Sequence, residues 1–216
     1  MSLKEELDQF RAGMAEKIPP EVREIMGKAV EEIRAAGLDK KAPAAGAKAP
    51  DFDLPDATGK TVSSAELRGK GPMVLTFYRG EWCPFCNLEL NALQKKLPEI
   101  EALGASLVAV SPQTPDHSLS MTEKNNLSFA VLSDVGNTVA RKYGLTFSLS
   151  EDLKPVYKQL GVDLAAFNGT DDYELPMAAT FVIDEDGAVL LSHVDADYTS
   201  RLEPDEIVAA LKQAKA

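Results

Sequence analysis

Cysteine and histidine are nearly absent: the 216 residues hold two of each. Two cysteines cannot staple a chain this long, which excludes a secreted disulfide framework. A structural zinc site usually takes four ligands, so it would have to enlist both cysteines with His117 and His193, and no metal is expected. No apolar run approaches the roughly 18 residues needed to cross a bilayer, so no membrane association is expected. Basic residues are outnumbered, 23 Lys and Arg against 34 Asp and Glu, for a net charge of −11. That balance disfavours a nucleic-acid surface, which needs a basic patch, and docking on anionic lipid. Solubility accounts for the acidity. No phosphate-cradling glycine loop, other cofactor motif or internal repeat is present. Met1-Ser-Leu-Lys-Glu-Glu-Leu7 lacks the apolar core of a signal peptide, so a reducing cytoplasm is the expected location.

What is present supports one domain with an appendage, long enough to bury a sizeable core. Residues 3–16 put Leu3, Leu7, Phe10 and Met14 on one helical face. Pro19-Pro20 breaks that helix and opens a second, carrying Val22, Ile25, Met26, Ala29, Val30 and Ile33. This N-terminal extension, residues 1–38, is too short to bury both faces by itself. It should pack on the main domain or on a second copy, which makes it a candidate dimer arm. Residues 39–50, rich in Pro, Ala, Gly and Lys, read as a linker. Residues 51–216 form the main domain.

That domain opens with a small hairpin around Ala57-Thr-Gly59. Strands and helices then alternate: an apolar run at Met73-Val-Leu-Thr-Phe-Tyr78, a helix over 84–102 with Leu90, Leu93, Leu97 and Ile100 in one stripe, and a strand over 106–111. A polar helix near 115–125, a strand at 129–132 and a helix capped by Asp134 follow. Residues 145–178 look irregular, with a short helical pattern near 151–160. Thr180–Ile183 and Ala188–Leu191 flank Asp184-Glu-Asp-Gly187, a strong hairpin signal. A last helix starts near Pro204. The order predicts an α/β, thioredoxin-like fold: a mixed central sheet with helices on both faces and an antiparallel edge hairpin.

Both cysteines lie in Trp82-Cys83-Pro84-Phe85-Cys86, between a buried strand and a helix, the setting of a thiol redox motif. Pro84 fits a first helical turn and puts Cys83 at the helix N-terminus. There unpaired N–H groups and the helix dipole favour a thiolate, the reactive form of the side chain. Cys86 lies one turn deeper and less exposed. Three-residue helical spacing brings the Cα atoms within roughly 5–6 Å, inside disulfide range. Cys83 is therefore the candidate nucleophile and Cys86 the resolving thiol. Arg79, four residues before Cys83, either turns its guanidinium into the same pocket or pairs at the surface with Glu81 or Glu89. Trp82 either supports the loop or contacts substrate, and Pro84 adjoins it. A Cys–His hydrolase would need His117 or His193 brought beside Cys83.

Ala49-Pro-Asp-Phe-Asp-Leu-Pro55, Phe77-Tyr-Arg-Gly-Glu-Trp-Cys-Pro-Phe-Cys-Asn-Leu-Glu-Leu90 and Thr180–Gly187 resemble the alkyl hydroperoxide reductase/thiol-specific antioxidant family. More narrowly, the chain is similar to a peroxiredoxin-like bacterial branch with a Cys-Pro-x-Cys site. Ser111-Pro-Gln-Thr-Pro115 and Asp197-Tyr-Thr-Ser-Arg-Leu-Glu-Pro204 share that likeness, which runs from about residue 46 to the end. The resemblance implies a thioredoxin fold and peroxide reduction at Cys83, with electrons restored by thioredoxin, glutathione or a similar dithiol. Typical members carry Thr or Ser three residues before the reactive cysteine and Pro four before that; Gly80 and Thr76 stand there instead. Peroxiredoxins place an arginine, and thioredoxins a cis-proline, just before the strand at 180. Ala178 aligns there and is a candidate substrate-facing position, with Pro176 two residues earlier. Arg79 would then have to supply the anchoring charge.

Three readings follow. In the first, a thiol peroxidase reduces hydrogen peroxide or organic hydroperoxides: Cys83 becomes a sulfenic acid and Cys86 condenses with it. In the second, a protein dithiol–disulfide oxidoreductase attacks partner disulfides. In the third, the disulfide is a non-enzymatic redox switch.

Overall fold

The computed structural model describes residues 1–215. Two helices come first, α1 (Leu3–Ala15) and α2 (Pro20–Ala35), then a hairpin of β1 (Asp53–Pro55) and β2 (Thr61–Ser63) and the short α3 (Ser64–Arg68). The core alternates β3 (Met73–Phe77), α4 (Pro84–Ala102), β4 (Ser106–Ser111), α5 (Pro115–Lys124), β5 (Ala130–Ser133) and α6 (Thr138–Lys142). An excursion of β6 (Thr146–Ser148), α7 (Leu153–Gln159), α8 (Leu164–Asn168) and β7 (Glu174–Pro176) precedes β8 (Ala179–Ile183), β9 (Val189–Val194) and α9 (Pro204–Ala214).

The central sheet runs β5-β4-β3-β8-β9. β3, β4 and β5 are mutually parallel, whereas β8 lies antiparallel to β3 and β9 antiparallel to β8. All five residues of β3 are buried, as an apolar run covered on both faces requires. Val74 and Tyr78 point into one core with Leu90, Leu93 and Ile100 of α4 and Ile207 and Leu211 of α9. Met73, Leu75 and Phe77 point into the other, with Val139 and Ala140 of α6 and Tyr143. This is the mixed, two-faced thioredoxin-like sheet that the element order predicts.

The N-terminal helices use their apolar faces within the chain. Leu3 and Leu7 are buried in the core that holds α4, and Phe10 stacks edge-on against Phe85 at 5.3 Å between ring centroids. Ser2 and Glu5 close a capping box, and Glu203 accepts from the backbone N–H groups of Leu3 (3.3 Å) and Lys4 (2.6 Å). Val22 of α2 instead packs with Leu153, Val156 and Tyr157 of α7. Leu3, Leu7, Val22 and Ile33 thus pack on the main domain, one of the two placements the sequence leaves open.

Residues 46–49 of the 39–50 segment pair with the start of β9 and the turn before it. Gly46 and Ala49 donate to the carbonyls of Val189 (2.8 Å) and Gly187 (2.9 Å), and Val189 donates to Ala47 (2.9 Å). Composition reads as a tether, but an unpaired strand edge nearby takes up such backbone groups. Asp134 does cap α6, though from outside the helix: its carboxylate accepts from the backbone N–H groups of Val139 and Ala140 and from the Thr138 hydroxyl.

Candidate active site

The strand β3 ends at Phe77, and the chain must turn within the six residues 78–83 to start α4 at Pro84. Gly80 makes this turn with φ +153°, a conformation that L side chains rarely adopt. A Cβ there would lie 2.3 Å from Trp82 Nε1, so a Thr or Ser at this position would collide with the indole. The Cys83 N–H donates to the Gly80 carbonyl at 3.1 Å. Asn87 Nδ2 donates to the carbonyls of Glu81 and Cys83, both at 2.8 Å, and Gln113 Oε1 accepts from the Glu81 N–H at 2.8 Å. Cys83 is the N-cap residue of α4 and Pro84 its first helical residue, which settles the motif where the sequence puts it.

Both cysteines are free thiols. Cys83 is only 1% exposed, so it does not stand at an open mouth as the motif alone suggests. The cover comes from elements distant in sequence. Met14 of α1, Met26 of α2, Tyr157 and Leu160 around α7, and Tyr198 line a cleft of about 210 Å³ with Cys83. Arg79, Trp82 and Pro84 line it too, so the structure brings together all but one of the candidates beside the cysteines. The exception is Ala178, a substrate-facing candidate that is buried at 3% exposure and is not among the residues lining the cleft.

Arg79 is not a surface residue; it is 3% exposed and makes no ion pair among the described residues. Its guanidinium lies 4.3 Å from the ring centre of Tyr198 and 5.1 Å from that of Trp82, with Tyr157 at 5.7 Å. One arm donates to the Tyr157 hydroxyl, and its Nε–H has no acceptor among the described residues. The two expected carboxylate partners are engaged elsewhere. Glu81 meets His117 Nδ1 at 2.6 Å, and Glu89 is buried against Arg201. Neither His117 nor His193 lines the cysteine cleft, so a Cys–His hydrolase finds no base there.

The electrostatics separate the two thiols. Burial opposes ionisation of Cys83, but a hydrogen bond from the Cys86 thiol and the charges of Arg79 and Arg201 outweigh it and bring Cys83 down to about 6. Cys86 is pushed well above the ordinary thiol range by burial and by its hydrogen bond to, and the charge of, Cys83. One sulfur is therefore ionised at neutral pH while its neighbour keeps a proton. Among the described residues, no cluster of three or more His, Cys, Asp or Glu side chains is placed to hold a metal.

The sequence assigns no chemical role to Glu89, Tyr157, Tyr198 or Arg201, although Glu89 falls in the 77–90 string and Tyr198 and Arg201 in the 197–204 segment. Glu89 carries a signal: it falls on the buried face of α4, between Cys86 and Leu93, where a carboxylate needs a buried partner. Tyr157 falls in the short helical pattern near 151–160 and the other two in the 197–204 segment, all more than 70 residues from the motif.

Fold and site together define a thioredoxin-fold protein with a thiol pair at the N-terminus of a core helix. The chain belongs to the AhpC/TSA family, whose sequence profile matches residues 45–192. It is 28% identical over 161 residues to the chloroplastic peroxiredoxin Q of Gentiana triflora, covering 74% of this chain and 61% of that protein. The chain thus spans less than two thirds of that relative. The chloroplastic peroxiredoxin Q of Triticum aestivum is 33% identical over 104 residues, 48% of each chain. Among solved structures, the peroxidoxin BcpB of Mycobacterium tuberculosis superposes with a TM-score of 0.64 at 25% identity, covering 81% of this chain and 99% of that one. Xanthomonas campestris peroxiredoxin Q shares the fold with a TM-score of 0.60 at 18% identity, over 76% and 92% of the two chains. Helices α1 and α2 lie outside the segment that matches the family, although both line the cysteine cleft.

Proposed function

We propose that the protein is a thiol-dependent peroxidase in which Cys83 attacks the peroxide O–O bond and Cys86 resolves the product. The observation that carries this reading is the pairing of an ionised Cys83 with a buried, incompletely bonded Arg79 in one enclosed cleft. The thiolate supplies the nucleophile, and the leaving oxygen needs a fixed cation or donor. Arg79 can only donate hydrogen bonds, so Tyr157 accepts from it and keeps its own O–H proton for another acceptor. Arg79 and Tyr157 thereby stand in for the Thr or Ser hydroxyl that Gly80 cannot provide. Membership of the AhpC/TSA family and the likeness to proteins named peroxiredoxin Q support a peroxide substrate.

The cleft is lined by Met14, Met26, Phe85 and Val162, and the first two and Phe85 also line a neighbouring groove of about 330 Å³ between α1 and α2. That apolar continuation suits an organic hydroperoxide as well as hydrogen peroxide. The burial of Cys83 argues against large protein disulfides as the first substrate, the main difference from a dithiol oxidoreductase. The reductant proposed is thioredoxin, glutathione or a similar thiol, which belongs in a reducing compartment such as the cytoplasm. No helix among the described residues is long and apolar enough to cross a membrane.

Stopped-flow oxidation of the reduced protein by hydrogen peroxide and by an organic hydroperoxide tests this, alongside an insulin-reduction assay. A second-order rate far above that of free cysteine is expected, with slow insulin reduction. Peroxide reactivity no better than free cysteine, with fast insulin reduction, would favour the oxidoreductase instead. Arg79→Met should lower the peroxide rate by about 10²-fold, the usual loss for one preorganised donor in a dry site.

A further inference from the structure

We propose that Arg201, clamped by Glu89, is the group that readies Cys86 for the resolving step. The step is that of the peroxidase reading above, although any oxidant that modifies Cys83 calls on it.

Arg201 lies in the segment between β9 and α9, and its side chain is 1% exposed. Its Nε donates to Glu89 Oε2 at 2.6 Å. One terminal nitrogen donates to the carbonyls of Tyr198 and, at 2.7 Å, Ser200. The other points at Cys86 Sγ, 3.4 Å away. Glu89 is itself fixed: its second oxygen faces the hydroxyls of Thr76 on β3 (3.5 Å) and Thr180 on β8 (3.4 Å). Oxygen atoms hold the guanidinium on every side but one, and the remaining arm meets the sulfur. A buried ion pair gives little net stability, because desolvation offsets the attraction. A cation fixed against a buried sulfur, by contrast, stabilises its thiolate directly.

The chemistry balances with these groups. After peroxide reduction Cys83 is a sulfenic acid, and Cys86 still carries its proton. Cys86 loses the proton, and its thiolate attacks the Cys83 sulfur; the S–S bond forms as the S–O bond breaks. The departing hydroxide takes up a proton and leaves as water. Cys86 is oxidised and the sulfenic sulfur reduced. Timing follows from charge. While Cys83 is a thiolate, its charge and hydrogen bond hold the Cys86 proton in place. Once Cys83 is a neutral sulfenic acid that opposition is gone, and the attraction of Arg201 remains.

The test is stopped-flow mixing of the reduced full-length protein with hydrogen peroxide, followed by the fluorescence of Trp82, the single tryptophan, which lines the cleft with Cys83. The same variants are mixed with a chromogenic aryl disulfide, which releases one aryl thiolate when Cys83 attacks and a second when Cys86 resolves. Arg201 also helps to hold Cys83 ionised, so the reading is the ratio of the phases: at about pH 8 Arg201→Met should slow the second phase by at least about tenfold more than the first, one unit of thiol pKa. A sulfenic-acid trap should label it heavily, and Arg201→Lys should recover part of the second phase. If Arg201→Met does not fold, Arg201→Gln, which removes the charge but keeps a polar side chain among the same carbonyls, replaces it under the same two-phase criterion. A second phase at the wild-type rate, or both phases slowed alike, would overturn the proposal. If wild type ignores peroxide yet Arg201→Met slows the second aryl release by that margin over the first, the peroxidase reading falls and the role of Arg201 stands.

Discussion

Cys83→Ser is expected to abolish peroxide consumption, leaving at most the rate of the bare peroxide in buffer. The physical reason is that the hydroxyl of serine does not ionise near neutral pH, whereas the Cys83 thiol titrates at about 6. No other sulfur can replace it: Cys86 is fully buried and held protonated, and the chain has no third cysteine. Cys86→Ser should behave differently. The first oxidation should proceed, a sulfenic acid should persist, and turnover with a dithiol should slow because no intramolecular disulfide forms. Sulfenic-acid trapping and intact-mass measurement after one equivalent of peroxide distinguish the two variants. Full peroxide activity in Cys83→Ser would remove the thiol from the mechanism altogether.

The second large effect concerns stability. Glu89→Ala should destabilise the fold by about 3–5 kcal/mol, because it strands a buried guanidinium. Arginine cannot shed its charge, so no protonation change relieves the loss. Arg201→Met should cost less. Burial, working against the pull of Arg201, already pushes the Glu89 carboxyl up to about 7, so Glu89 can take a proton when its partner is removed. The double variant Glu89→Leu/Arg201→Met should recover most of the stability, as apolar replacements of buried pairs do. Thermal unfolding reads all three, at roughly 2–4 °C per kcal/mol for a protein of this size. Equal melting temperatures for Glu89→Ala and wild type would show that the pair is not held in the core.

The site was legible in sequence where local rules decide it. The apolar run of β3, the proline after Cys83 and the Leu90–Ile100 stripe each carry their own structural instruction, and all three agree. The hairpin of β8 and β9 was equally plain in its Asp-Gly turn. Glu89 sits inside that same stripe, and its burial could have been inferred from helical spacing alone. Arg201 lies 112 residues away in the 197–204 segment that carries the family likeness, but nothing local there says that it meets Glu89. The roof over Cys83 was hidden for a related reason. Apolar faces on α1 and α2 announce that something must cover them, but not which surface they reach. Residues 46–49 show the limit of composition: Pro, Ala and Gly describe a flexible chain, while the partner that orders them is the start of β9 and the turn before it.

The central claim is that Cys83 is ionised at neutral pH and is the peroxide-reacting sulfur. The most direct measurement is the second-order rate of the first, peroxide-dependent phase of the wild-type protein with hydrogen peroxide across pH. A single sigmoid is expected, rising with pH as the thiol loses its proton, with a midpoint of about 6 and a plateau at neutral pH. A rate still climbing at the pH where free cysteine ionises, about 8.5, would contradict it.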